Sequence, residues 1–304
     1  MSDLTCFQQK ISAQFPDIKM LFNEPLSKHT SFRIGGAVEV MAFPKNADEI
    51  RTLLNESAIL DCKVRIIGAG TNILAPDEGI SGLVICLKDS LDGIQQLDDC
   101  TIRVMAGVTM TRAAVFAANL GLSGLEFAHG IPGTVGGGIY MNAGAYGGEI
   151  CQVCTNVSVM DSSGFITDYN TEQMQFSYRK SRLETEDGIV ISADFRLTKA
   201  PVEEIRGKMR ELMDKRKASQ PLDLPSAGSA FKRPVGGYAA ALIDQAGLKG
   251  FCVGDAGISE KHAGFAVNLG SATANDVKQL LEQVSDIVFD KSGIRLEPEV
   301  RIWD

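Results

Sequence analysis

The glycine-rich segment at residues 68–74 follows a β-branched run at Ile66 and Ile67. Glycines in such a turn permit a positive φ and let backbone N–H groups converge on an anion, which is the geometry of a phosphate-binding nest. The segment is not the dinucleotide fingerprint G-x-G-x-x-G, because the third glycine is missing and no helical pattern follows. Taken alone, a turn of this kind is more often structural than functional.

A second, denser cluster spans residues 130–148, where eight of nineteen residues are glycine. Each glycine inside a helix or strand costs about 0.5–1 kcal/mol relative to alanine, so neither element gains from this density. We therefore expect backbone that closely approaches another group, and a flat cofactor carrying a pyrophosphate would need both close passage and N–H donors. The alternative is a mobile loop, but the interleaved Ile131, Val135, Ile139, Tyr140 and Met141 are atypical of one.

Cysteine and histidine residues form no convincing metal or redox site in the sequence. The seven cysteines are scattered, and the single C-x-x-C, Cys151 and Cys154, precedes a strand-like pattern instead of opening a helix. His29, His129 and His262 are far apart in sequence. We interpret the C-x-x-C spacing as incidental and predict no metal.

Helices and strands that would position these segments are mixed along the chain. A hairpin is expected at residues 156–167, and Thr109 is a candidate N-cap. The apolar periodicity predicts helices at residues 47–54, 109–120, 201–217, 237–246 and 274–290, and strands at residues 64–67, 83–87, 101–105, 189–197, 265–269 and 296–302. Because strict βα alternation is absent, the pattern favours an α+β fold in several lobes over a doubly wound sheet.

Length and charge limit the classes of protein that remain. A chain of 304 residues with 31 glycines and a net charge of −8 is long enough for two or three domains, at roughly 150 residues per domain. It has no basic patch, so neither nucleic acid nor a membrane is an expected partner. The N-terminus lacks a signal-peptide pattern and no apolar run reaches the roughly 18 residues of a membrane span, so we expect a cytoplasmic protein.

The two glycine segments together resemble the FAD-binding signature of the UDP-N-acetylenolpyruvoylglucosamine reductase family. Further similarity extends over nearly the whole chain and keeps the family's order. It lies in LSKHTSFRIGG at residues 26–36, FSYRKS at 176–181, PSAGSAFKRP at 225–234, SEKHA at 259–263 and LEPEVR at 296–301.

The resemblance implies a two-lobed FAD-binding (PCMH-type) module followed by a third α+β substrate domain. The implied boundaries are 1–96 and 97–200 for the lobes and 201–304 for the UDP-sugar domain, whose C-terminal strand returns to the flavin. Non-covalent FAD and NADPH as co-substrate are implied. The implied cofactor-binding residues are Gly68, Ala69, Gly70, Thr71, Asn72, Ile73, Gly130, Ile131, Pro132, Gly133, Thr134, Gly137, Gly138, Asn142, Gly144, Ile189 and Arg301.

The implied reaction reduces an enolpyruvyl ether on a UDP-amino sugar, UDP-N-acetylglucosamine enolpyruvate, to UDP-N-acetylmuramate. Arg179 matches the cation for the substrate carboxylate, since a guanidinium can bind a carboxylate bidentately. Ser229 matches the proton donor, although a lone serine is seldom catalytic. Glu299 matches the neighbouring acid, but a period of two places Glu297 on the same strand face, and only the motif selects Glu299.

Cations for the UDP diphosphate are expected at Lys217, Lys232 and Arg233, although a solvated helix end explains residues 215–217 equally well. No tyrosine occurs between Lys180 and Gly228, so the chain resembles the shorter family form without a tyrosine-bearing lid. A monomer is expected. The alternatives are an FAD-dependent oxidase or dehydrogenase of the same fold, and a nucleotide-binding module without catalysis. Neither alternative needs Arg179, Ser229 and Glu299 together.

Overall fold

A computed structural model describes residues 6–304 and divides them into two compact units. The first contains the chain up to Phe22 and residues Glu39–Ala69 and Ser81–Asp214. The second contains Asn23–Val38, Gly70–Ile80 and Lys215–Asp304. The three-domain division at residues 96 and 200 stays a prediction.

The elements are mixed along the chain, as an α+β fold requires. The helices are α1 (Cys6–Gln14), α2 (Ala47–Ile59), α3 (Met110–Asn119), α4 (Val135–Tyr140), α5 (Val202–Ser219), α6 (Ala239–Gln245) and α7 (Ala274–Ser292). The strands up to residue 149 are β1 (Lys19–Pro25), β2 (Ala37–Phe43), β3 (Val64–Ile67), β4 (Ile73–Leu74), β5 (Ile80–Cys86), β6 (Ile94–Gln96), β7 (Thr101–Met105), β8 (Leu122–Ser123), β9 (Gly144–Ala145) and β10 (Gly148–Glu149). The later strands are β11 (Cys154–Met160), β12 (Ile166–Asn170), β13 (Ile189–Arg196), β14 (Thr198–Lys199), β15 (Ser226–Ser229), β16 (Cys252–Val253), β17 (Ala256–Ile258), β18 (Phe265–Asn268) and β19 (Arg301–Ile302).

Two sheets organise the first unit. One has the order β1-β2-β5-β3, with β3 and β5 parallel, and the other has the order β12-β11-β13-β7-β6 with antiparallel neighbours. The side chains of β13 are buried along almost the whole strand, which is expected of a central strand covered on both faces. A continuous apolar core therefore joins these sheets with α2 and α3.

The second unit has a smaller core of its own. The antiparallel sheet β15-β18-β17-β16 packs with α6 and α7, and its core includes Phe231, Ile243 and Val284. Helix α7 begins with a capping box formed by Thr273 and Asp276, and Asp77 accepts hydrogen bonds from the backbone N–H groups of Ala274 and Asn275. These acceptors satisfy amide groups that the first turn of a helix leaves open.

The structure confirms most of the periodicity-based predictions. Thr109 caps α3 by accepting from Arg112 N, and β11 and β12 form the expected hairpin. One correction concerns residues 296–302, where only Arg301–Ile302 is a strand. A second correction concerns the dense glycine cluster, where Val135–Tyr140 is helical although three of its six residues are glycine.

Within the described residues, no helix combines the length and the apolar character needed to cross a membrane.

Candidate functional site

Thr134 brings the two glycine segments together in the first unit. A Cβ at Gly68 would lie 2.3 Å from Thr134 Oγ1, so only glycine allows the chain to pass this side chain after β3. Thr134 is buried and is the N-cap of α4, where its Oγ1 accepts from Gly137 N at 3.4 Å. One hydroxyl therefore connects the end of β3 with the start of α4.

Four of the eight glycines of the dense cluster closely approach other atoms of the protein. A Cβ would lie 3.0 Å from Ala106 Cβ at Gly136, 2.8 Å from Met110 Sδ at Gly138, 2.7 Å from Glu149 Cγ at Gly144, and 2.5 Å from the Phe127 ring at Gly148. Internal packing thus accounts for these glycines, and their density alone does not indicate a cofactor. Gly137 differs, because it is exposed and its nearest neighbour would be Thr134 Oγ1 at an ordinary 3.7 Å.

The amide groups at the start of α4 donate hydrogen bonds to acceptors within the protein. Val135 N donates to Val108 O at 2.8 Å, Gly136 N to Ala106 O at 2.9 Å, and Gly138 N to Thr134 O at 2.8 Å. A pyrophosphate at the start of α4 would have to compete with these acceptors, and the cofactor contacts expected of the second cluster stay predictions. Gly137 offers open space to a ligand instead of an additional N–H group.

Arg179 lies in a tight turn beside the second glycine cluster. Ser177 and Lys180 close this turn through two backbone hydrogen bonds of 3.0 and 3.2 Å, and Arg179 adopts a φ of 58°. The Arg179 guanidinium donates to Gly144 O at 3.4 Å and lies over the Tyr178 ring at 4.9 Å from its centroid. Arg179, which is predicted to bind the substrate carboxylate, therefore lies next to Gly144, a predicted cofactor-binding residue.

Among other predicted or reactive residues of the first unit, Ile189 and Cys154 are buried, whereas His129 and Cys151 are half-buried. Ile189 begins β13 and belongs to the core, so its predicted cofactor contact stays a prediction. Burial lowers the pKa of His129, which precedes Gly130, so its imidazole is neutral at pH 7. Burial raises the pKa of Cys154 to about 12, and Cys151 and Cys154 are unpaired cysteines; the incidental interpretation of their spacing stays a prediction. Within residues 6–304, no group of three potential metal ligands occurs.

The first glycine segment continues into the second unit, where its turn is fixed on both sides. Gly70 has a φ of 61°, and a Cβ there would lie 2.1 Å from His29 O. Asn72 Nδ2 donates to Glu299 O at 3.1 Å, and Asn72 O accepts from Arg301 N at 2.9 Å. Because β4 and β19 also pair in parallel, residues 70–74 and the end of the chain form one assembly.

Ser229 and Glu299 are neighbours in this assembly. Ser229 ends β15 after Gly228, whose φ is 77°, and its side chain is exposed between the buried Ala227 and Ala230. Glu299 N donates to Ala230 O at 2.9 Å. The predicted proton donor and acid therefore lie on paired segments, one residue apart in register, whereas Arg179 belongs to the first unit.

The structure gives Glu299 and Glu297 different surroundings. The segment at residues 297–299 pairs with residues 230–232 through single bridges and is not a continuous strand. The carboxylate of Glu297 forms an ion pair with Lys232, while Glu299 is half-buried next to Ala230. Lys232, which we expected to bind a diphosphate, is thus held by a carboxylate.

The expected cations Lys217 and Arg233 are exposed in the second unit. Lys217 lies in the last turn of α5, and its carbonyl accepts from Lys261 Nζ at 2.7 Å. The sequence analysis quoted Lys261 within SEKHA but did not select it as a cation. Arg233 lies over the Tyr238 ring at 4.5 Å from its centroid.

Comparisons with known proteins match both halves of the chain. Residues 38–170 match the FAD binding domain, and residues 220–303 match the UDP-N-acetylenolpyruvoylglucosamine reductase C-terminal domain. A UDP-N-acetylenolpyruvoylglucosamine reductase of Agathobacter rectalis is 44% identical over 97% of this chain and 98% of that protein. The chain belongs to the UDP-N-acetylenolpyruvoylglucosamine reductase family.

Further family members agree with this assignment. The reductase of Caldanaerobacter subterraneus subsp. tengcongensis is 44% identical over 93% of both chains. The crystal structure of the reductase (MurB) from Thermus caldophilus aligns with a TM-score of 0.80 and 36% identity, covering 94% of this chain and 99% of the other. The family therefore confirms the predicted FAD-binding (PCMH-type) module with its additional α+β domain.

Gly137 provides a direct test of where the cofactor approaches the first unit. Replacing Gly137 by alanine meets no close protein atom and removes a flexible residue from a helix, so the free energy of unfolding of the apoprotein should stay equal or rise by up to about 1 kcal/mol. We expect the Gly137→Ala variant to bind FAD at least about tenfold more weakly, because a cofactor that lies along the backbone leaves no room for a methyl group. FAD titration and urea denaturation of the apoprotein measure the two quantities.

Gly136→Ala is the matched control. Its Cβ would crowd Ala106, so this variant should lower the free energy of unfolding of the apoprotein. Unchanged FAD affinity in Gly137→Ala would show that the cofactor does not contact this backbone.

Proposed function

We propose that the chain uses NADPH to reduce UDP-N-acetylglucosamine enolpyruvate to UDP-N-acetylmuramate in peptidoglycan precursor synthesis. The observation that carries this proposal is family membership over nearly the full length, with the FAD-binding and the reductase C-terminal regions in one chain. The alternative, an FAD-dependent oxidase or dehydrogenase with another substrate domain, does not account for the match at residues 220–303.

FAD fits the residues that the structure provides. In the first unit, Gly137 leaves open space, and Gly68 and Thr134 fix the neighbouring backbone. In the second unit, the turn at residues 70–73 is joined to the end of the chain near Arg301 by the hydrogen bonds of Asn72 and by the pairing of β4 with β19. When bound, FAD supplies the hydride chemistry, taking a hydride from NADPH and passing it to the vinyl carbon of the substrate.

The protein's own residues would orient and protonate the substrate. Arg179 binds the carboxylate through two N–H donors, and its charge stabilises the enolate that hydride addition creates. Ser229 donates its hydroxyl proton to the α-carbon, and the turn at Gly228 exposes that hydroxyl. Glu299 lies on the segment that pairs with residues 230–232, and its carboxyl group is the proposed acid that assists proton supply.

Lys217 and Arg233 are proposed ligands of the UDP diphosphate, and Lys261 adds a charge next to Lys217. Lys232 stays a proposed ligand, and its ion pair with Glu297 would compete with a bound phosphate. The monomeric state and the cytoplasmic location stay predictions. The absence of a tyrosine between Lys180 and Gly228 supports the proposal that this chain is of the lidless form.

A steady-state assay tests the proposed function. The purified holoprotein should oxidise NADPH rapidly only when UDP-N-acetylglucosamine enolpyruvate is present, and mass spectrometry should identify UDP-N-acetylmuramate as the product. Oxygen should be a poor acceptor. NADPH oxidation that is independent of the enolpyruvyl substrate would favour the oxidase alternative.

The half-reactions test the roles of Ser229 and Glu299. In the Ser229→Ala and Glu299→Gln variants, reduction of FAD by NADPH should stay near normal, because neither side chain is needed for that step. Oxidation of the reduced enzyme by the enolpyruvyl substrate should slow by roughly 10²-fold or more, the usual effect of losing a positioned acid. Stopped-flow absorbance of the flavin measures both rates.

Ser226→Ala and Glu297→Gln are the matched controls, since they alter a serine of the same strand and the carboxylate that pairs with Lys232. Both should retain fast substrate reduction. An equal loss in both half-reactions of Ser229→Ala, or a greater loss in Glu297→Gln than in Glu299→Gln, would contradict the assignments.

A further inference from the structure

The buried side chain of Asn142 contacts the turn that carries Arg179. Its Nδ2 donates to Ser177 O at 3.1 Å and to Glu149 Oε2 at 3.2 Å, while its Oδ1 accepts from Cys151 N at 3.0 Å. Asn142 is almost inaccessible to solvent, at 1% exposure. Both N–H donors of the amide are therefore used within the protein.

The neighbours of Asn142 allow only one orientation of its amide. Glu149 and the Ser177 carbonyl can only accept, and the Cys151 amide can only donate, so the nitrogen and the oxygen of Asn142 cannot exchange places. Glu149 is itself fixed, because it forms a capping box with Gln152 at the short 3₁₀ helix Ile150–Gln152. The Asn142 side chain is thus a rigid support.

The Arg179 turn needs such support. Its two central residues are Tyr178 and Arg179, and the left-handed φ of 58° at Arg179 is unfavourable for a residue with a long side chain. Hydrogen bonds between this part of the chain and the glycine-rich segment include Asn142 Nδ2 to Ser177 O, Arg179 to Gly144 O, and Ser181 Oγ, just after the turn, to Tyr140 O at 2.8 Å. Asn142 provides the bond on the N-terminal side of Arg179.

We propose that Asn142 is a positioning residue that holds the Arg179 turn in the conformation that presents the guanidinium to the substrate carboxylate. This inference rests on the proposed function of Arg179. It also gives the side chain of Asn142 a role apart from the cofactor contact that the family resemblance implied, because the amide donors of Asn142 are directed at Ser177 and Glu149.

A double-mutant cycle on the FAD-loaded enzyme tests this proposal, using Asn142→Ala, Asn142→Asp, Arg179→Ala and the Asn142→Ala/Arg179→Ala double variant. Aspartate keeps the size of the side chain and can accept from Cys151 N, but it cannot donate to Ser177 O and is repelled by Glu149. We expect kcat/KM for the enolpyruvyl substrate to fall by about tenfold or more in both single Asn142 variants, since misplacing a binding group by about 1 Å can cost up to 10²-fold.

Two further results would separate positioning from a general structural effect. FAD content and the rate of FAD reduction by NADPH should match the wild type in both Asn142 variants. In the Arg179→Ala background, Asn142→Ala should lower kcat/KM by no more than about twofold, because residues that act through one another are not additive.

Gln152→Ala is the matched control, because it removes hydrogen bonds to Glu149 N and Gly147 O in the same segment without touching Ser177. It should lower kcat/KM much less than either Asn142 variant, because Asn142 keeps its hydrogen bonds to Ser177 O and Cys151 N. A loss in Gln152→Ala equal to that in Asn142→Ala would indicate general loosening of the segment and overturn the proposal.

Additive losses in the double variant would overturn it, and so would loss of FAD from both Asn142 variants, since Asn142 would then act at the cofactor. A separate result tests the proposed role of Arg179. If Arg179→Ala kept wild-type kcat/KM, both inferences would fall, whereas a slow Arg179→Ala with normal Asn142 variants would remove only the positioning role.

Discussion

The contact between the Thr134 hydroxyl and the Gly68 backbone is the constraint on which the arrangement of the first unit depends. Gly68 follows β3 and the buried Thr134 precedes α4, so the close approach of this hydroxyl to Gly68 packs together two chain segments that are far apart in sequence. Any side chain at Gly68 would displace Thr134. The position therefore demands glycine whether or not a ligand is present.

The same segment connects to the chemistry of the first unit in a second way. Downstream of α4, Asn142 and Gly144 contact the turn that carries Arg179. The segment predicted to bind the cofactor therefore also holds the residue that is predicted to bind the substrate carboxylate. In the second unit, Asn72 performs a comparable function by holding the end of the chain near Glu299. Each unit thus combines a glycine-containing turn with one part of the proposed catalytic machinery.

Charge is organised locally in an acidic protein. A chain with a net charge of −8 that binds nucleotides must provide cations at specific points, and the structure places Lys217 and Lys261 at one end of α5. It also shows which cation is already neutralised, since Lys232 pairs with Glu297.

The sequence predicted α3 and the hairpin of β11 and β12 well, because their caps, turn residues and apolar periods are local signals. It did not predict α4, because three glycines conceal a helix that is stabilised by packing against Ala106 and Met110. It could not separate Glu299 from Glu297, because that choice depends on pairing with residues 230–232. The Asn142 contacts with Ser177 also join distant residues, and no spacing rule indicates them.

FAD affinity of Thr134 variants tests most directly whether this hydroxyl organises the cofactor-binding segments. Thr134→Ser keeps the oxygen, whereas Thr134→Val keeps the volume but removes the acceptor for Gly137 N, a loss of cap that typically costs about 0.5–2 kcal/mol. We predict that Thr134→Ser binds FAD within about twofold of the wild type and that Thr134→Val binds it at least about tenfold more weakly, in keeping with that free-energy range. Equal FAD affinity in Thr134→Val and the wild type would contradict the account.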